Sequence, residues 1–216
     1  MKMLTRGYVY WMNINRDIED TVRHCPNCQE AAKMPKKTVL NSWTTEEKRD
    51  RINIDYAKSL NGKMYLVVVD VYSKWPKVFE MSSSSTTATS KELRMLFARF
   101  GNLKVIVSDN GTQFTAKEFQ KLCDEQGIEH VRSPPFHSQS NGQAERFVDT
   151  LKRTLQKIKE GGMLEKLAEF LQCYRRTPCA STSGHLPPAE RFLGRQMRTP
   201  LTLLKESAKQ EGKTQS

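Results

Sequence analysis

Between Arg51 and Arg132 the hydrophobic pattern switches repeatedly between a period of two and a period near 3.6. Ile52, Ile54 and Tyr56 alternate with Asn53, Asp55 and Ala57, which predicts a half-buried strand with Asp55 on the face away from the isoleucines. Met64–Asp70 is nearly continuous in apolar residues and reads as a central strand, and Lys77–Met81 completes a three-strand meander. Thr89 and Glu92 have capping-box spacing ahead of Leu93, Leu96, Phe97 and Phe100, a helical stripe that stops at Gly101. Lys104–Ser108 then reads as a short buried strand. Thr115 with Glu118 repeats the capping signal before a helix to about Gln126, and Ile128–Arg132 is a further strand. The predicted order is three strands, helix, strand, helix, strand.

A loop opens at Pro134-Pro135 and runs to Gly142. Ser140 and Gln143 give a third capping box before a long helix whose core stripe is Ala144, Phe147, Val148, Leu151, Leu155 and Ile158. A second helix is predicted from about Met163 to Arg175 and a short one near Pro188–Leu193. After Leu204 the tail is polar and reads as disordered. At the other end, residues 1–34 close on His24-Cys25-Pro26-Asn27-Cys28, and a polar connector over 35–50 marks a domain boundary. There is no internal repeat.

Composition narrows the possible partners. The chain has 216 residues, enough for one ordinary domain and a smaller appendage. A mean hydropathy of −0.65 and a longest strongly apolar run of only Tyr65 to Val69 leave nothing to span a bilayer, so no membrane partner is expected. No targeting signal is legible at the amino end. The net charge of +11 favours a polyanion, since each phosphate neutralised by Lys or Arg releases counterions. That charge is uneven: Arg146–Ser216 holds 14 basic and 7 acidic residues, a surplus of +7. Five cysteines with one close pair do not make a secreted disulfide framework, and a reducing compartment fits better.

The candidate chemistry is carboxylate chemistry. Asp55 lies near the end of the first strand, Asp109 just beyond the fourth, and Glu145 in the first turns of the long helix. Converging there, the three would offer hard oxygen ligands to Mg²⁺ or Mn²⁺, and two such ions can activate an attacking oxygen and stabilise a leaving one in phosphodiester chemistry. The surrounding residues sharpen this. Ser108-Asp109-Asn110-Gly111-Thr112-Gln113-Phe114 is followed, 35 intervening residues after Asp109, by the Glu145 of Asn141-Gly142-Gln143-Ala144-Glu145-Arg146. Together with the runs Leu66–Trp75, Ser133–Ser140 and Tyr174–Pro178, this text closely resembles the D,D-35-E integrase catalytic cores of Gypsy-type retrotransposons and retroviruses. The likeness runs from Tyr8 to about Leu204.

The resemblance implies an α/β, ribonuclease H-like fold: a five-stranded mixed sheet flanked by helices, with a small helical N-terminal remnant. It implies a polynucleotidyl transferase that uses two Mg²⁺ or Mn²⁺ ions, with Asp55 bridging both while Asp109 and Glu145 each hold one. It implies DNA as partner, both element ends and target, a homo-oligomer, and the nucleus as the place of action. Carried over as DNA contacts are Phe136, Gln139, Asn141 and Lys152. Lys152 is two turns after Glu145 on the same helical face, placed to meet a phosphate or to remain a solvated lysine; Phe136 either stacks on an unpaired base or covers the core. Asn110 and Gln113 are read as bracing their turn or contacting DNA, and Asp70 as structural. The chain departs from the family's usual text at Asn53, Ser138 and Asp149, the last putting negative charge where a basic residue is common.

Cys25 and Cys28 resemble the second half of the His-His-Cys-Cys zinc module that precedes integrase cores. With the two histidine positions absent and His24 poorly placed to replace them, a complete structural zinc site within the chain is not expected. The expected division is 1–45 as a truncated zinc-binding module and linker, 46–204 as catalytic core, and 205–216 as tail. Two other readings share these features: an inactive or domesticated fragment acting as a nucleic-acid-binding module, and a ribonuclease H-type nuclease.

Overall fold

The computed structural model describes residues 5, 7–26, 50–60, 62–133, 141–158, 160–199 and 202. Cys28, Phe136, Gln139, Ser140 and the tail expected after Leu204 lie outside the described residues. The chain divides into two compact units, Lys33–Leu171 and Met1–Ala32 with Gln172–Ser216.

The first unit is built on a five-stranded sheet of β1 (Arg51–Leu60), β2 (Lys63–Asp70), β3 (Pro76–Met81), β4 (Val105–Ser108) and β5 (Glu129–Arg132). The spatial order is β3-β2-β1-β4-β5. The first three strands form the expected antiparallel meander, while β4 runs parallel to β1 and β5 parallel to β4. Alternation does what it predicts. Ile52, Ile54, Tyr56, Leu66, Val68 and Ile106 fall on one face, where they join Leu93, Leu96 and Phe97 of a helix α2 (Thr86–Phe100) and Phe119 and Leu122 of a later helix in one buried cluster. The later helix is α4 (Lys117–Glu125), preceded by a single turn α3 (Thr112–Thr115).

Helix α5 (Gly142–Lys157) packs against β1 and β2. It buries Ala144, Phe147, Val148, Leu151 and Leu155, and Phe147 meets Phe170 of the helix Met163–Arg176 (α6) at 5.6 Å between ring centroids. Full burial of a Phe, Leu or Val side chain contributes roughly 1.5–3 kcal/mol. The apolar stripe therefore fixes where α5 lies, and its polar first turn is carried to the sheet by that packing.

All three capping boxes differ from the expectation. Helix α2 starts one turn early, capped by Ser85, whose hydroxyl accepts from the Ala88 amide at 3.2 Å. Thr89 is instead fully buried, donating to the Ser85 carbonyl and sharing a 2.8 Å bond with the Tyr56 hydroxyl. A buried phenol needs a partner, and that demand outweighs the cap. Thr115 closes the single turn α3, and Ala116, in an extended conformation, separates it from α4. Asn141 occupies the N-cap position of α5, without a side-chain capping bond. At the far end of that helix, Ile158 is the C-cap and only half-buried.

The second unit contributes α1 (Ile14–His24), a 3₁₀ turn at Ser183–His185 and α7 (Pro188–Leu193). Pro188 opens α7 and Gly194 ends it at a φ of 71°, the common proline-first, glycine-last arrangement. Among the described residues no helix is long and apolar enough to cross a membrane.

Candidate active site

The sheet splits where the carboxylates stand. Pairing between β1 and β4 ends at Asn53 with Val107; β4 stops one residue later at Ser108, while β1 continues alongside β2. Asp55 and Asp109 follow on the two sides of that split. Ligand sites in α/β sheets form outside the carboxyl ends of parallel strands, where strands separate and leave backbone and side chains unpaired.

Asp55 is half-buried on the face of β1 opposite Ile54, and one of its oxygens accepts the Tyr56 amide proton at 2.7 Å. Burial first, and then the charges of Asp109 and Glu145, raise its pKa to about 6 against that hydrogen bond and the pull of Lys152. Glu145, in the first turn of α5, has its pKa raised by burial and then by Asp109, with Arg146 opposing. The three carboxylates thus sense one another, and two cations of α5 oppose them: Lys152, half-buried two turns along the helix, acts on Asp55, and Arg146 on Glu145.

The Asp109 turn is held rigidly. Its Oδ1 accepts the Gly111 amide at 3.0 Å, and the Ser108 hydroxyl donates to its carbonyl at 2.8 Å. Asn110 donates to the Ser133 carbonyl at 2.8 Å, tying the turn to the end of β5 and bearing out the bracing role. A Cβ on Gly111 would stand only 3.0 Å from Asp109 Oδ1 and closer still to the movable end of the Gln113 side chain, so it would crowd the Asp109 carboxylate. Asp70 is also structural: its Oδ2 accepts from the Ser73 amide at 2.8 Å and from the Ser73 hydroxyl.

The donor set is all carboxylate oxygen, the chemistry a hard divalent cation requires. Burial, and after it the neighbouring carboxylates, disfavour a bare charge on Asp55, and a bound cation would offset both. Among the described residues, however, no three His, Cys, Asp or Glu side chains stand close enough to grip one ion as placed. The carboxylates are near enough to couple in charge but do not form a closed cage.

Other expected site residues fall differently. Asn141, expected to meet DNA, is fully buried, and its Nδ2 donates to the Ile54 carbonyl at 3.0 Å; in this conformation it offers no surface to a phosphate or base. Asp149 is engaged by Arg153 at 3.5 Å, which offsets its charge beside the site. Cys25 is half-buried and in no disulfide, and the His24 Nδ1 lies 2.8 Å from the Asp20 carbonyl.

Some of the site's support was not foreseen. His130 on β5 bonds the Ser108 hydroxyl at 2.8 Å and sets its ring edgewise on Phe119 at 4.9 Å. Its pKa is lowered by burial and then by Arg132. A polar residue inside the short strand Glu129–Arg132 was the available signal, and its partner across β4 was not readable.

Comparison with known proteins fits this geometry. Residues 47–138 match the integrase core domain family, and residues 1–33 match the integrase zinc binding domain family. The chain is 45% identical over 207 residues to an uncharacterized protein of Caenorhabditis elegans, covering 94% of this chain and 16% of that protein. It is 34% identical over 158 residues to the Pro-Pol polyprotein of Simian foamy virus type 3, covering 70% of this chain and 14% of the polyprotein. The chain thus spans about one sixth or less of the relatives it matches. The structure superposes on the catalytic core domain of BIV integrase with a TM-score of 0.55 at 22% identity, covering 68% of this chain and 95% of that one, which identifies the fold as ribonuclease H-like. Residues 47–138 are thus an integrase core domain, preceded over residues 1–33 by an integrase zinc-binding segment.

Proposed function

We infer that this chain is the catalytic part of a retroelement integrase, a polynucleotidyl transferase that cuts and joins DNA with divalent metal ions held by Asp55, Asp109 and Glu145. The observation that carries the reading is the electrostatic convergence of these carboxylates, from β1, the end of β4 and α5, at the split in the sheet. Mg²⁺ or Mn²⁺ bound there would activate the attacking oxygen and stabilise the leaving one. In this reading Asp55 would serve both ions, and Asp109 and Glu145 would each hold one. The Gly111 amide holds Asp109 in its rotamer, and the core packing of α5 holds Glu145. Lys152 would balance the charge of a scissile phosphate. The basic surplus after Arg146 supplies sequence-independent affinity for DNA. Phe136 and Gln139 would meet the same DNA, and action in the nucleus as a homo-oligomer, with 46–204 as the catalytic part, completes the proposal.

The test is nicking, joining and disintegration of duplex DNA by the purified chain, with and without Mg²⁺ or Mn²⁺. Metal-dependent strand transfer that DNA competes for better than an RNA–DNA hybrid supports the reading. Preference for the hybrid would make the chain a ribonuclease H-type nuclease. DNA binding with no metal-dependent cleavage would make it a binding module.

A further inference from the structure

We propose that Asn141 is a positioning residue that sets the distance between Asp55 and Glu145 by fastening the start of α5 to β1. This deepens the catalytic reading above and rests on it. One residue makes both attachments. Its side-chain Nδ2 donates to the carbonyl of Ile54, the residue immediately before Asp55, at 3.0 Å. Its backbone carbonyl accepts from the amide of Glu145 itself, at 3.2 Å. The path from one carboxylate-bearing backbone to the other therefore runs through a single side chain.

The sheet explains why a side chain is needed there. Pairing of β1 with β4 ends at Asn53, so the Ile54 carbonyl lies at the first position past it. Burial forbids leaving a peptide carbonyl without a donor. The amide of Asn141 supplies one, and because a carbonyl only accepts, this bond also fixes which way the amide is turned. The side chain is completely buried, and its Oδ1 meets no donor among the described residues. A half-satisfied buried amide is a poor way to gain stability, since the unmet oxygen works against the bond that is made. Nor does it cap its own helix, for no side-chain capping bond is present. What remains is geometry: the amide holds α5 in register with β1, as an aliphatic residue of similar size could not.

The tests are Asn141→Ala and Asn141→Gln, which keeps the carboxamide on a longer stem, each compared with the unaltered chain. In the Ala variant the Mn²⁺ dissociation constant, measured without DNA, should rise at least tenfold, and exchange of the Glu145 amide proton should accelerate. Where the unaltered chain turns over, kcat should fall at least tenfold while the KM for DNA stays within about twofold; these fold-changes set the scale of a displaced ligand, about 1.4 kcal/mol per factor of ten. Gln should recover much of both losses. A rise in KM with kcat and Mn²⁺ affinity unchanged would make Asn141 a DNA contact and overturn the proposal, as would an Ala variant that fails to fold or one indistinguishable from the unaltered chain. If the unaltered chain has no metal-dependent activity, the catalytic reading fails by itself, and Mn²⁺ affinity and Glu145 exchange still decide whether Asn141 positions the helix.

Discussion

Asp55 and Asp109 each stand two residues beyond Asn53 and Val107, the last pair joining β1 to β4. Two parallel strands run side by side, one ends, and each places a carboxylate at the same remove from the point of separation. Asp55 is thereby set by backbone pairing, which is stiff, and Asp109 by the short braced turn that follows β4. Glu145 comes from a third element, packed on the sheet by its apolar stripe and tied at its start to β1 by the Asn141 side chain. Ion-binding geometry built on rigid elements needs little reorganisation during reaction.

Because burial and its two acidic neighbours raise Asp55 to about 6, its ionised form opposes folding. Between the unfolded value near 4 and about 6 the native state holds more proton than the unfolded chain, so stability falls as pH rises through that window. Replacing Asp55 by Asn keeps an acceptor for the Tyr56 amide and removes the charge. In metal-free buffer at pH 7.5 Asp55→Asn should be more stable by on the order of 2 kcal/mol, a rise in Tm of several degrees. At pH 4 the two proteins should melt alike. A variant less stable than the parent at pH 7.5 would contradict the assigned cause.

The same carboxylate links metal to pH. Protons and cations compete for Asp55, so Mg²⁺ or Mn²⁺ should raise Tm clearly at pH 7.5 and progressively less as pH drops through 6. Thermal melts across pH at fixed metal concentration check this, and a metal-induced shift of equal size at pH 5 and 7.5 would place the cation elsewhere.

Gly111 is needed for space, not for backbone conformation, since its φ is −58°. Gly111→Ala would crowd the Asp109 carboxylate and the flexible end of Gln113. Gln113 can move away and Asp109 cannot without leaving its site. The expected result is a stability loss of about 1 kcal/mol or less with a much larger loss of metal-dependent activity. Comparable losses in both would mean that Gly111 serves the fold alone.

Much of this was legible in the sequence. The alternation Ile52, Ile54, Tyr56 put Asp55 on the correct face, and the stripe Ala144 to Leu155 placed Glu145 on a packed helix. The 35-residue spacing and its flanking text singled out three carboxylates whose charges bear on one another. What failed were local signals with tertiary competitors. Thr89 and Glu92 have the right spacing for a cap, but Tyr56, 33 residues away, needed the threonine hydroxyl more. The resemblance makes Asn141 a DNA contact, and nothing in its neighbourhood announces the Ile54 carbonyl 87 residues earlier in the chain. Likewise the bond between Ser108 and His130 depends on the parallel register of β4 and β5, which no periodicity encodes.

Lys152 lies close enough to Asp55 to favour its charged form. Lys152→Ala should weaken DNA binding uniformly across sequences and reduce the slope of log affinity against log salt by about 1, as removal of one phosphate contact does. Electrophoretic or anisotropy titrations at several salt concentrations read this directly. An unchanged slope would leave Lys152 facing the carboxylates only.

The central claim is that Glu145 works with Asp55 and Asp109 as a metal ligand in DNA cleavage and joining, and Glu145→Gln tests it most directly. The amide keeps the side-chain shape and leaves Phe147, Val148 and Leu151 untouched on the buried face of α5, so the fold and most DNA binding should survive. A neutral amide is a poor ligand for Mg²⁺ beside a carboxylate. The measurement is metal-dependent strand transfer and disintegration by the parent and by Glu145→Gln, with Tm recorded in metal-free buffer. The account predicts activity in the parent, its loss by at least a hundredfold in the variant, and a Tm that is unchanged or slightly raised. Activity that persists in a folded Glu145→Gln would contradict it.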